Sequence, residues 1–258
     1  MKRPFDTDVK RSPAPSLGPL PAKVPASSLR ISVLGSFGLV DVRRVAIPVA
    51  TGTKRLLSLL AIRGRVVQRG AVAGALWPDV SEGHAHASLR SALLRIPPAA
   101  RAVVAVTDAE LSLADDVAVD VRDAQSLALR LLDSAPATGD ADLGPASILL
   151  LSSDLLPGWR DEWVTSEAEE WRQLRLHALE AFADRLVALA RFGAATVAAM
   201  AAVRAEPLRE SAHAALIRVH IAEGNQSEAL RQYERYRTSL RHELGIEPTA
   251  RLRSLLGI

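Results

Sequence analysis

The chain has 258 residues, 48% hydrophobic and 24% charged, which is enough for two modest domains with cores of their own. It contains no cysteine, which excludes a disulfide framework, thiolate chemistry and Cys-based zinc sites. The longest apolar stretches are too short for a membrane span, and the opening MKRPFDTDVKR lacks the apolar segment of a signal peptide, so a reducing cytoplasm and no membrane partner are expected.

The net charge of +3 conceals an asymmetry. Residues 29–106 carry eleven Lys/Arg against Asp41, Asp79 and Glu82, a net +8, whereas residues 107–258 carry 16 Arg against 24 acids, a net −8. A basic front half points to nucleic acid and an acidic back half to a different partner.

Residues 1–28 hold Pro4, Pro13, Pro15, Pro19, Pro21 and Pro25 among Ser, Ala and basic residues. That composition has too little apolar content to offset the entropy of ordering, and the expectation is a disordered basic arm. Leu29–Gly35 (LRISVLG) alternates as a strand and ends on a glycine turn, and Phe37–Val42 and Val45–Val49 read as two further short strands. Leu56, Leu57, Leu59, Leu60 and Ile62 then form a helical pattern closed by Gly64.

Gln68–Pro98 organises the front half. Val72, Ala75 and Leu76 make the apolar face of a first short helix, which Trp77-Pro78 ends because proline has no N–H and restricts the residue before it. Ser81 is the expected N-cap of a second helix burying Ala85, Leu89, Leu93 and Ile96. Its outer faces then carry Ser88, Arg90, Ser91, Leu94 and Arg95, and no acid occurs from His84 to Ile96. Such a face suits the major groove, where arginine forks onto guanine and a methyl-bearing side chain meets thymine. Ala102–Val106 and Leu111–Ala114 follow as a hairpin, giving strands, three helices and a hairpin: a winged helix with an N-terminal sheet. Lys54, Arg55, Arg63, Arg65 and Arg69 are the expected phosphate contacts, which set affinity and its salt dependence.

In the back half, Val121–Leu132 reads as one helix, Asp133–Leu143 as a loop, and Pro157-Gly158 as a turn before a long helix. Ala195 and Ala229 stand 34 residues apart in similar surroundings, the tetratricopeptide period. Tyr233 and Tyr236 would fill the groove beside the alanines, and residues 115–258 are expected to stack as antiparallel helices.

The stretches "LRISVLG", "RLLSLLAIRGRVVQRGAVAGALWPD", "ASLRSALLRI" and "DVAVDVRDAQSL" resemble those of the Streptomyces antibiotic regulatory protein (SARP) family. So do "LLPGW.DEWV…R.LRLHALE" and "LRHELGIEPT" further on. The resemblance covers all but the first 28 residues. It implies an α+β then all-α chain: a response-regulator-type winged helix over 29–114 and a bacterial transcriptional activation domain, tetratricopeptide-like, over 115–258. It implies a promoter-binding activator that reads direct repeats in double-stranded DNA and pairs head to tail on them. The loop of Trp77, Asp79 and Glu82 would contact RNA polymerase holoenzyme. Two departures stand out: Pro97-Pro98 ends the recognition helix where relatives continue with basic residues, and Leu94 occupies a position more often polar.

No constellation points to catalysis, and neither an enzyme nor a cofactor is expected. His84/His86 and His213/His220 lack the spacing of a metal pair. Gly52-Thr53-Lys54 lacks the glycine five residues earlier that a phosphate loop requires, since Ile47 is there. A second reading stays open on the residues: a helical-repeat interaction module whose winged helix is degenerate and no longer binds DNA.

Overall fold

The computed structural model describes residues 29–133 and 140–257; the expected arm, residues 1–28, lies outside them. Strand β1 (Leu29–Ser32) pairs antiparallel with β2 (Gly38–Asp41), with Ile31 opposite Leu39. Leu29, Ile31 and Leu39 point inward and are buried, as the alternation requires. The third strand expected at Val45–Val49 does not form. Only a single bridge joins Ala46 to Val40, because Asp41 accepts from the N–H groups of Arg43 and Val45 through its side chain and folds the segment into a tight turn. The place beside β1 is taken by β6 (Ala118–Val119), which runs parallel to it and arrives from beyond the hairpin.

Helix α1 (Thr51–Arg63) buries Leu56, Leu57, Leu59, Leu60, Ala61 and Ile62 and closes on Gly64 at φ +64°, a left-handed cap that a side chain would strain. Two residues, Val67–Gln68, form β3 and lead directly into α2 (Arg69–Leu76). Helix α3 (Glu82–Leu94) follows, then a 3₁₀ turn over Pro98–Val103. Of the hairpin strands, β4 (Val104–Val106) starts two residues later than the sequence pattern suggested, because the turn opened by Pro98 takes up Ala102 and Val103, and β5 (Glu110–Leu113) lies one residue earlier than expected. β3 pairs with β5, so the second sheet has the order β3-β5-β4.

The back half is helical: α4 (Asp120–Leu132), α5 (Pro145–Ser152), α6 (Glu162–Ala188), α7 (Phe192–Ala205), α8 (Glu210–Ala222), α9 (Gln226–Leu244) and α10 (Ala250–Ser254). α6, α7, α8 and α9 each pack on the next. α7 buries only alanines (Ala195, Ala198, Ala199, Ala201 and Ala202), which lets its neighbours approach closely. Ala195 and Ala229 are both fully buried near the starts of α7 and α9, while Tyr233 and Tyr236 fill the space between α9 and Ile217.

One core runs through both halves, from Ile31 and Leu60 to Leu179 and Ala198. Asp120, the first residue of α4, fastens the seam. Its carboxylate accepts from the backbone N–H of Val33 (2.9 and 3.1 Å), Leu34 (3.1 Å) and Val121 (2.7 Å). Burial pushes its pKa up, while those donors and the charge of Arg30 pull it down. The LLPGW stretch adds a second fastening: Gly35 N–H donates to Asp154 O (2.7 Å) and Leu156 N–H to Val33 O (2.9 Å). Trp171 Nε1 donates to Ser153 O (2.9 Å), and the buried Arg175 guanidinium reaches Ser152 O (3.1 Å) and the Asp154 carboxylate.

Candidate nucleic-acid interface

Helix α3 presents two opposed lines. Ala85, Leu89, Ala92 and Ile96 face inward and are buried. Leu93, expected in that line, is only half-buried and Ala92 takes its place. At 100° per residue the opposite line is Gly83, Ala87 and Leu94. Arg90 flanks it on one side, Ser91 and His84 on the other, and Arg95 is the exposed C-cap residue. Ser88 and Ser91 are half-buried at the edges of that face. Ser81 is the N-cap without capping through its side chain; its hydroxyl bonds His84 Nδ1 at 2.7 Å. Glu82 lies beside His86, with 3.7 Å between Glu82 Oε1 and His86 Nε2.

Between α3 and the hairpin turn lies an open groove of about 500 Å³, lined by Gln68, Arg69, Gly70, His86, Arg90 and Asp108. It borders the first turn of α2, where the Arg69 N–H donates to Ala109 O (2.8 Å) and the positive end of the helix favours negative charge. Arg69 is held there by a bond from its guanidinium to Thr107 O (3.3 Å) on the hairpin.

The five expected phosphate contacts divide. Arg65 is exposed and Arg69 lines the groove just described. The other three face the helical half. Lys54 Nζ stands 5.6 Å from the Phe37 ring centre and 5.5 Å from that of Trp159, a cation–π clasp. The Arg55 guanidinium pairs with Asp161, and Arg63 with Glu167 (2.9 Å). Part of the basic front half is therefore neutralised within the chain by the acidic start of α6. Glu167 itself has its pKa raised by burial, against the charges of Arg63 and Arg65 that lower it.

The loop between α2 and α3 forms one lip of a second groove, about 750 Å³, whose other wall is the start of α6; Arg55, Trp77, Asp79, Arg160, Asp161 and Trp163 line it. Trp77 is half-buried, and Asp79 and Glu82 are exposed.

The histidines form no metal site. His213 is buried, with Nε2 on Pro207 O (2.9 Å) and Nδ1 on Gln232 Nε2 (2.7 Å), stacked on Tyr236 at 4.2 Å. Among the described residues no group of three or more His, Asp or Glu could hold an ion. Thr53, in the Gly-Thr-Lys stretch, spends its hydroxyl on Ala92 O (2.7 Å), joining α1 to α3. Among the described residues no helix is long and apolar enough to cross a membrane.

Residues 119–257 match the family model described as the bacterial transcriptional activator domain. The chain belongs to that family. Regulatory protein AfsR of Streptomyces coelicolor is 29% identical over 242 residues, covering 89% of this chain and 24% of that protein. The solved structure of Mycobacterium tuberculosis EmbR, in complex with a low-affinity phosphopeptide, is similar with a TM-score of 0.64 and 23% identity, over 89% of this chain and 64% of that one. The chain thus spans about a quarter of the curated relative and under two thirds of the solved chain. The resemblance to SARP-type transcriptional activators read from the sequence holds, and the curated relative is by name a regulatory protein. Like EmbR, the chain is mostly helical with a small sheet region at its front.

The sequence pattern missed Gly83, His84 and Ala87 as part of the outward face. A full helical wheel of α3 would have found them. Nothing in the pattern signalled that Lys54 and Arg55 meet Trp159 and Asp161 just ahead of α6, or that the exposed Arg63 pairs with Glu167.

Proposed function

We propose that this protein is a cytoplasmic, sequence-specific DNA-binding activator whose residues 29–114 form a winged helix and whose residues 115–258 form a tetratricopeptide-like activation domain. The observation that carries the reading is the outward face of α3: from Gly83 to Arg95 it holds Arg90 and Arg95 and no acid. Arg90, Ser91, Leu94 and Arg95, with Ser88 at the edge, meet base edges in the major groove. Arg65, and Arg69 with the first turn of α2, take phosphates on either side. Lys54, Arg55 and Arg63 have a different task, holding the winged helix against α6 and the turn before it, where they meet Trp159, Asp161 and Glu167.

The lip bearing Trp77, Asp79 and Glu82 is the proposed contact for RNA polymerase holoenzyme, and two copies bind direct repeats head to tail. The exposed Leu94 favours a second reading, in which α3 meets a protein and not DNA. Binding of the full chain to the DNA upstream of its own gene and to random duplex, at two salt concentrations, separates the two. An activator prefers the upstream DNA and loses affinity steeply with salt. A protein-binding module shows neither behaviour.

A further inference from the structure

We propose that Leu94 reads the 5-methyl group of a thymine, and that this contact sits beside a guanine read by Arg90. The inference deepens the DNA-binding reading above and rests on it. Leu94 is 81% exposed, the most exposed large apolar side chain among the described residues. On α3 the other large apolar side chains, Leu89 and Leu93, are buried and half-buried, so Leu94 is an isolated apolar point rather than part of a patch. A protein partner would need a broader apolar surface. The residues around Leu94 are instead Arg90 one turn back, Arg95 next in the chain and the small Ala87.

A cationic surface with one apolar point complements a polyanion with one apolar point. In the major groove that point is the thymine methyl, which distinguishes T·A from the other pairs. Gly83 and Ala87, on the same outward line, carry nothing that stands further out than Leu94, so its branched end can reach the groove floor. Arg90 and Leu94 are four residues apart, about 6 Å along the helix axis. With base pairs stacked roughly 3.4 Å apart, the thymine lies about two base pairs from the guanine.

The test begins with selection of preferred duplexes from a random pool by the full chain. Each thymine of the selected site is then replaced by uracil, which lacks only the methyl group, and binding of wild type and Leu94→Ala is compared. The expected result is one thymine, about two base pairs from a guanine whose contribution vanishes in Arg90→Ala. There uracil weakens wild-type binding by roughly fourfold, the worth of one buried methyl, and Leu94→Ala binds the two duplexes alike. The inference is overturned if no uracil substitution affects wild type, or if the loss persists undiminished in Leu94→Ala; sequence-specific binding would then stand without it. A pool that yields no preferred sequence overturns both the inference and the DNA-binding reading.

Discussion

Replacing Asp120 with alanine tests how the two halves are joined. The substitution removes the acceptor for the Val33 and Leu34 N–H groups, 87 and 86 residues away in the chain. Val33 is fully buried, so its N–H is left without a partner and without water, which costs about 1–3 kcal/mol. Leu34 is half-buried and water can partly satisfy it, at roughly 1 kcal/mol. The bond to Val121 N–H lies within the first turn of α4, and losing an acceptor there resembles losing a helix cap, again about 1 kcal/mol. Together these give roughly 3–5 kcal/mol. For a chain of this size each kcal/mol moves the melting temperature by about 2–4 °C, so Asp120→Ala is expected to melt roughly 6–20 °C below wild type. Asp120→Asn keeps one acceptor oxygen and should fall between. Differential scanning calorimetry measures both. An alanine variant melting within a degree of wild type would refute the claim that this carboxylate fastens β1 to α4.

Arg55→Ala should lower thermal stability by on the order of 1–3 kcal/mol, between the values for exposed and buried pairs, and leave the salt slope of DNA binding unchanged; a smaller slope would return Arg55 to the phosphates. Arg69→Ala should weaken binding to all duplexes alike and reduce the slope of log affinity against log salt by about one, as titrations at several salt concentrations would show. Acidification should destabilise the α8–α9 pair through His213, whose pKa is lowered from 6.5, chiefly by burial and also by the nearby charge of Arg235, with Pro207 O and Glu210 opposing. Because the neutral ring is favoured in the folded state, its contribution is complete above about pH 6.5 and declines as the pH falls from there toward the depressed folded value. Melting temperatures measured from about pH 7.5 down to about pH 5 should fall less with acid in His213→Asn than in wild type.

Much of this arrangement was legible from residue order because local chemistry dictated it. Gly64 closed α1, Trp77-Pro78 ended α2, and the stripe Val121, Ala124, Leu127 and Leu131 marked α4. The 34-residue spacing of Ala195 and Ala229 reflected two buried helix-crossing points. What could not be read depended on contacts across long sequence separations. Val45–Val49 alternates like a strand yet forms none, while the unremarked Ala118–Val119 becomes the second neighbour of β1, since β-pairing is decided by what packs beneath the sheet and not by alternation alone. The basic residues of α1 looked like phosphate ligands because a charge in a sequence does not reveal its neighbour. Asp161 and Glu167 are more than a hundred residues away from Arg55 and Arg63. On α3, the substitution of Ala92 for Leu93 in the buried line rotates the outward face slightly, bringing Ala87 and Leu94 to its centre.

The measurement that bears most directly on the central claim is the ratio of affinities for the upstream DNA and for random duplex, by fluorescence anisotropy, in wild type, Arg90→Ala and Arg65→Ala. A clear preference is expected in wild type, with a loss of about 1–3 kcal/mol of that preference in Arg90→Ala. In Arg65→Ala the ratio should hold while both affinities fall. Equal affinities for the two DNAs in wild type, or a ratio untouched by Arg90→Ala, would contradict the assignment of α3 as the reading helix.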